Sequence, residues 1–282
     1  MPEGPPKHRR ALEQRLRNLA NDEMDYLNKR RQLANLAVLV ALTSQRDERG
    51  DALFAVKGGV SMELEFGDAA RPTRDLDLSY RAERRRMGDL LRDALAGGWD
   101  GFGFRIASDL EPIAETGSYR CDVKVSYLGD ALQTIRLEIG MAEGAAGDET
   151  RLIRVNTIDP RAVGLGKVQE LPAVTARYSI AQKLHACTDH SHPTAANDRS
   201  RDLIDIIQLW RSLDEFERSA TRDACLEIFA ARGKQEWPPT IEIPENWRDE
   251  YPVRARELSF RPSDVEVAVA EVQGIIKELG VS

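Results

Sequence analysis

The stretch FAVKGGVSMELEFGDAARPTRDLDLS, residues 54–79, decides the fold. It reads as a short buried strand over Leu53–Val56, a glycine pair, a helix over Gly59–Phe66, a turn at Pro72 and a second strand over Arg74–Tyr80. Alternate residues of a strand point to the same side. Asp75 and Asp77 therefore share one face, and Leu76 and Leu78 turn to a core. Two carboxylates held side by side repel unless a cation sits between them, and oxygen ligands suit Mg²⁺ (or Mn²⁺). Gly58 and Gly59 let a backbone come close to a phosphate at a helix N-terminus. With Lys57 before them and Ser61 after, they form a candidate phosphate cradle. A divalent metal beside a phosphate cradle is the chemistry of a nucleotide.

Working outward, Asp22–Arg46 has helical periodicity, and Arg84–Ala96 is a helix stopped by Gly97-Gly98. Strands follow over Phe102–Ala107, Tyr119–Leu128, Ala131–Met141 and Leu152–Val155, with a hairpin turn at Leu128-Gly129. In QTIRLEIGM, Ile135, Leu137 and Ile139 face one way and Arg136 and Glu138 the other. Gly164, Gly166 and Pro172 mark a linker. Helices are then expected over Ala176–Thr188, Ser200–Ser212, Asp214–Ala231 and Pro262–Leu279, with Trp237–Trp247 as a proline-rich loop. The divisions this implies are a helical segment at 1–50, a catalytic lobe at 51–160 and a helical lobe at 161–282.

A glycine turn opening a helix, followed by Asp-x-Asp on the next strand, resembles the DNA polymerase β-type nucleotidyltransferase superfamily. The particular form KGG…TRDLDL, followed by IAQKLHA at 180–186 and RDLIDI at 201–206, resembles the AbiEii (MenT-like) nucleotidyltransferase toxins. That resemblance implies an α+β fold: a polymerase β-like lobe with a mixed sheet and a C-terminal helical lobe. It implies Mg²⁺-dependent transfer of a nucleotide from an NTP to an acceptor hydroxyl, with the tRNA 3′ end as acceptor and a cognate antitoxin as partner. It also implies roles. Asp75 and Asp77 hold metal, and a later strand supplies a third carboxylate, for which Glu138 is favoured over Asp122. Lys183 and Asp205 match the later Lys and Asp motifs; Lys183 would neutralise triphosphate charge, and Asp205 would orient it or take a proton from the acceptor. Asp202 lies three residues from Asp205 and shares its helix face. Relatives often carry Thr or Ser directly after the glycines, whereas Val60 stands there in this chain and Ser61 follows.

Other readings compete with these. A pair of helices can hold Lys183 and Asp202 or Asp205 in a plain salt bridge, and Glu138 can form a cross-strand ion pair with Lys124. His185, Cys187, His190 and His192 include zinc-ligand types, but their spacing fits no closed four-ligand pattern, and a helix end with a His-rich loop describes them better. Arg84, Arg85 and Arg86, directly after the Asp-x-Asp strand, are RNA-binding candidates or a solvated helix face. Nucleotidylation of a protein hydroxyl and a non-catalytic nucleotide- or RNA-binding module are the alternatives to RNA modification. The absence of a Walker loop and of a G-x-S-x-G elbow disfavours P-loop NTPases and α/β-hydrolases.

Composition narrows the setting. At 282 residues, with 41% hydrophobic and 31% charged side chains, the chain can bury a sizeable core. A net charge of −7 argues against a protein that is basic all over, so any RNA contact must be a local patch. No apolar run approaches the ~20 residues of a membrane span. MPEGPPKHRR lacks the apolar core of a signal peptide and reads as a frayed tail. Cys121, Cys187 and Cys225 are odd in number and scattered, as in reduced cytoplasmic thiols.

Overall fold

The computed structural model describes residues 4–73, 75–114, 116–147, 149–189 and 199–280. Arg74, His190 and His192, which entered the sequence reading, lie outside the described residues. The fold is α+β. The strands are β1 (Phe54–Val56), β2 (Asp75–Tyr80), β3 (Phe102–Ile106), β4 (Glu111–Pro112), β5 (Tyr119–Tyr127), β6 (Asp130–Met141), β7 (Thr150–Arg154) and β8 (Glu170–Val174). They form one mixed sheet in the order β3-β5-β6-β2-β1-β8-β7, with β4 paired to β5. β2 runs antiparallel to β1 and parallel to β6, so the Asp-x-Asp strand is central.

Chain contacts divide the protein into two compact units, 1–142 with 150–173, and 143–149 with 174–282. In the first, α1 (Arg9–Leu19), α2 (Glu23–Thr43) and α4 (Met87–Ala96) accompany the sheet, and α3 (Gly58–Phe66) packs beside β2 and β7. The apolar sheet face carries Leu76, Leu78, Tyr80, Leu137, Ile139, Cys121 and Val123, all buried. Burying each Leu or Ile here contributes on the order of 1.5–3 kcal/mol, enough to lock the register. A one-residue slip of β2 would turn Asp75 and Asp77 into that core. The run from Leu33 to Leu39 in α2 is buried, which explains why every residue of it but Asn35 is apolar. The β5–β6 hairpin turns at Leu128 and Gly129, both with positive φ, the conformation a two-residue primed turn requires.

The second unit is helical: α5 (Ala176–Cys187), α6 (Ser200–Ser212), α7 (Glu215–Arg232), α8 (Glu245–Glu257) and α9 (Val265–Gly280). Residues 143–149 belong to it because Arg232 grips Glu143 at 2.8 Å and Glu227 accepts a bond from the Ala145 amide at 2.8 Å.

Three expectations are corrected. The basic N-terminus is not frayed from Gly4 onward: Pro6 is buried, its carbonyl accepts from Tyr127 Oη at 2.8 Å, and α1 begins at Arg9. The supposed linker contains β8, which lies beside β1 and includes Pro172; after the excursion at 143–149 the chain returns to its second unit at Val174, the last residue of this strand. The proline-rich loop ends at α8, whose Trp247, Tyr251 and Ala255 form a buried stripe despite Pro252.

Candidate active site

The polar face of the sheet is set by register. β2 presents Asp75 and Asp77, and in the parallel pairing Asp77 lies opposite Glu138 and Asp75 opposite Arg136. On the far side of β6, Arg120 lies opposite Glu138 and Asp122 opposite Arg136. Asp75 is exposed and Asp77 half-buried.

The glycine pair meets this face directly. Lys57, the N-cap of α3, donates its amide to the Asp77 carbonyl at 3.0 Å and makes no side-chain cap. Gly58 follows with φ of 64°, and a Cβ there would run into the Asp77 carboxylate. Only glycine permits both the left-handed backbone and that approach. A Cβ on Gly59 would lie 2.9 Å from Arg71 Nη2 and 3.0 Å from Thr73 Oγ1. The opening turn of α3 therefore touches a carboxylate of β2 on one side and Arg71 and Thr73 on the other. Lys57 stretches across the sheet until its Nζ lies 2.6 Å from where a Gly140 Cβ would be, two residues past Glu138. Ser61, in the first turn, is buried.

Glu138 accepts a hydrogen bond from Ser118 Oγ at 2.8 Å and pairs with Arg120 at 3.5 Å. The ion pair is thus with Arg120; Lys124 lies opposite Thr134 instead. Asp122, one strand further from β2 than Glu138, pairs with Arg136 at 3.7 Å. Among the described residues no three His, Cys, Asp or Glu side chains converge to hold a metal ion. Asp75 and Asp77 alone still suit Mg²⁺, which takes one or two carboxylates and completes its shell with water and substrate phosphate rather than a protein cage.

The second unit holds its own charged cluster. Lys183 Nζ, on α5, donates to Asp205 Oδ2 at 2.6 Å and Asp202 Oδ1 at 3.1 Å, both on α6. The side chains are 11%, 3% and 5% exposed, respectively, so the charges are almost out of water. Burial raises the Asp202 carboxyl, but Lys183 and Arg199 more than offset this and hold it below the usual range. His185, on the same helix, is buried against Phe229; burial, with Arg232 nearby, pushes its imidazole down to about 4. Cys187 is buried with its Sγ 3.7 Å from the Arg199 carbonyl. All three cysteines are free and buried, and burial raises their thiols, Cys121 to about 11, which makes them unreactive.

Arg84, Arg85 and Arg86 are exposed, but they lie beyond the Tyr80 end of β2 and lead into α4; Arg85 pairs with Glu83 and Arg84 lies over Tyr119. On α2, Lys29 bonds Asp25, Arg30 the Leu132 carbonyl, and Arg31 forks onto Glu63 at 2.6 and 3.0 Å. Those cations brace the fold. Sequence reasoning missed Arg71, Thr73 and Ser118. The first two stand in RPT just before the Asp-x-Asp motif, a position that hints at proximity; Ser118 gave no signal.

No curated protein matches this chain. Among solved structures, MenT4, a nucleotidyltransferase toxin from Mycobacterium tuberculosis H37Rv, superposes with a TM-score of 0.53 at 16% identity, over 95% of this chain and 97% of that one. The family model described as nucleotidyl transferase AbiEii toxin, type IV toxin–antitoxin system, matches residues 41–271. With most of its length so matched, the chain belongs to the AbiEii nucleotidyltransferase toxins.

Proposed function

We propose that this toxin transfers a nucleotide from an NTP to the 3′-terminal hydroxyl of tRNA in the cytoplasm, with Mg²⁺ (or Mn²⁺) as cofactor, releasing pyrophosphate and blocking translation until a cognate antitoxin restrains it. The observation that carries this reading is the contact between the Gly58 backbone and the Asp77 carboxylate, which joins an anion-binding helix terminus to a metal-binding strand. Asp75 and Asp77 would hold the ion, whose part is to neutralise phosphate charge and lower the pKa of the attacking hydroxyl. Lys57, Gly58, Gly59 and Ser61 make up the phosphate cradle. Glu138, the register partner of Asp77, would serve as the third carboxylate although the three side chains do not converge in this structure, with Asp122 the less favoured choice. In the second unit, Lys183, paired with Asp202 and Asp205, is a phosphate counter-charge, and Asp205 orients it. Arg84, Arg85 and Arg86 form a surface for RNA phosphates.

The deciding assay incubates the protein with each α-³²P-labelled NTP, tRNA, total protein and Mg²⁺. Label in tRNA, lost after removal of the 3′-terminal hydroxyl, is the expected result. Label in protein alone would replace the acceptor, and no label with any NTP would overturn the reading.

A further inference from the structure

Arg71 presents an electrostatic conflict. Its guanidinium lies over the first turn of α3, with Nη2 2.9 Å from the position a Gly59 Cβ would take. A helix N-terminus carries about half a positive charge, and the guanidinium is always cationic, so the two repel. The usual relief would be a carboxylate of the chain itself. Among the described residues none serves Arg71, whose Nε is buried with no hydrogen-bond partner. The acids nearby are engaged elsewhere. Glu63, on the same helix, is taken by Arg31 and Gln32, and Asp77 meets the helix from the Gly58 side.

A buried, partnerless guanidinium nitrogen beside a helix terminus of the same sign costs stability in the free protein. Arg71 as a whole is only half-buried, so an anion bound against its Nη atoms and the helix terminus would offset the repulsion. Sulfur or carbon side chains of the protein cannot do this, and water can satisfy the hydrogen bond but not the charge. Phosphate oxygens match the planar fork of arginine and accept from backbone amides at the same time.

We infer that Arg71 is a binding residue for the triphosphate of the NTP substrate, gripping it against the first turn of α3. This rests on the reading above and adds a residue to it. Its place at the cradle assigns it the phosphates that leave as pyrophosphate rather than those of the acceptor. Gly59 takes its meaning from this contact: a side chain there would expel the guanidinium.

The test compares wild type with Arg71→Ala and Arg71→Lys. Affinity for sodium tripolyphosphate is measured by calorimetry in EDTA, affinity for NTP and nucleoside monophosphate with Mg²⁺, and the melting midpoint without ligand. A charge-assisted hydrogen-bond pair gives an expected loss of about 10- to 100-fold for tripolyphosphate and NTP in Arg71→Ala. Arg71→Lys should fall between, because it keeps the charge and loses the fork. Monophosphate affinity and acceptor KM should not change, and the unliganded midpoint should hold or rise. Equal tripolyphosphate affinity in wild type and Arg71→Ala overturns the assignment and leaves the nucleotidyltransferase reading standing. So does a raised acceptor KM with unchanged NTP affinity, or an unliganded midpoint lowered by more than about 5 °C, which marks a structural residue. A wild type that binds neither NTP nor tripolyphosphate overturns that reading and this inference together.

Discussion

The two units each hold a pair of aspartates two or three residues apart, and they treat them in opposite ways. Asp75 and Asp77 stand on a strand at an open polar face, one exposed and one half-buried. Asp202 and Asp205 stand on a helix, almost without exposure, and close on Lys183. The first pair keeps its carboxylates at the solvated face of the sheet. The second carries its countercharge in the chain. The contrast teaches that a carboxylate's environment decides whether it costs or supports stability. A half-solvated pair is cheap to keep, whereas a buried triad is stable only while complete.

The sharpest way to break this comparison is Asp77→Ala. If Asp77 holds the metal as proposed, its loss should reduce nucleotide transfer by about 10³-fold or more, on the scale of removing one strong electrostatic contact to the transition state. The melting midpoint should not fall, since the remaining carboxylate is relieved of its neighbour. Full transfer by the purified variant would remove this face from the chemistry. Glu138→Gln should cost less, about 10-fold, because Glu138 is engaged by Ser118 and Arg120; a loss equal to that of Asp77→Ala would put all three carboxylates on one footing.

The second unit should respond in stability. Lys183→Met leaves Asp202 and Asp205 buried without their central cation, and urea unfolding should show a loss of about 3 kcal/mol or more. Replacing Asp202 and Asp205 with Leu in the same chain should recover much of that loss. If Lys183→Met unfolds like wild type, the triad is solvated and the contrast fails. The same variant should gain less from Mg²⁺-NTP in a melting experiment if Lys183 also serves as a phosphate counter-charge.

How much of this was legible follows from the range of the interactions. β2 could be read because DLDLSY alternates, and α3 because glycines open it; both patterns are local. That Glu138 and Asp77 would be neighbours followed only in outline, since residues 130–141 had to pair with 75–80 in one particular register. α1, β8 and α8 were hidden. Arg9–Leu19 follows a proline-rich, basic start, while Pro172 and Pro252 sit inside elements that tertiary packing keeps intact. Arg71 and Ser118 acquire their neighbours only when strands and turns meet in space. The arginine triplet after β2 was near the motif in sequence, yet β2 carries it to the opposite end.

The pH dependence of the second unit sharpens the contrast further. His185 sits near 4 in the fold and near 6.5 in the unfolded chain. Between those values the unfolded state binds the extra proton, so stability falls as pH drops through this window, by up to about 3 kcal/mol. His185→Phe should flatten the denaturation profile between pH 6.5 and 4. An unchanged slope would show that the imidazole is hydrated. The smallest effect belongs to Arg84, Arg85 and Arg86. Replacing all three with Ala should raise the apparent KM for tRNA several-fold and reduce the salt slope by about 2–3, with NTP affinity unchanged. Equal KM and equal slope for mutant and wild type would remove this surface from RNA binding.

The parallel pairing of β2 with β6 has a consequence for synthesis. The aspartate strand spans 75–80, its antiparallel neighbour 54–56, and its parallel neighbour 130–141. A ribosome making this toxin therefore produces the motif long before the strand that flanks it on the other side. Until residue 141 has emerged, β2 has a bare edge and Asp77 has no Glu138 beside it. Such long-range closure is slow compared with helix formation. The nascent chain consequently carries the toxin's motif without its assembled face.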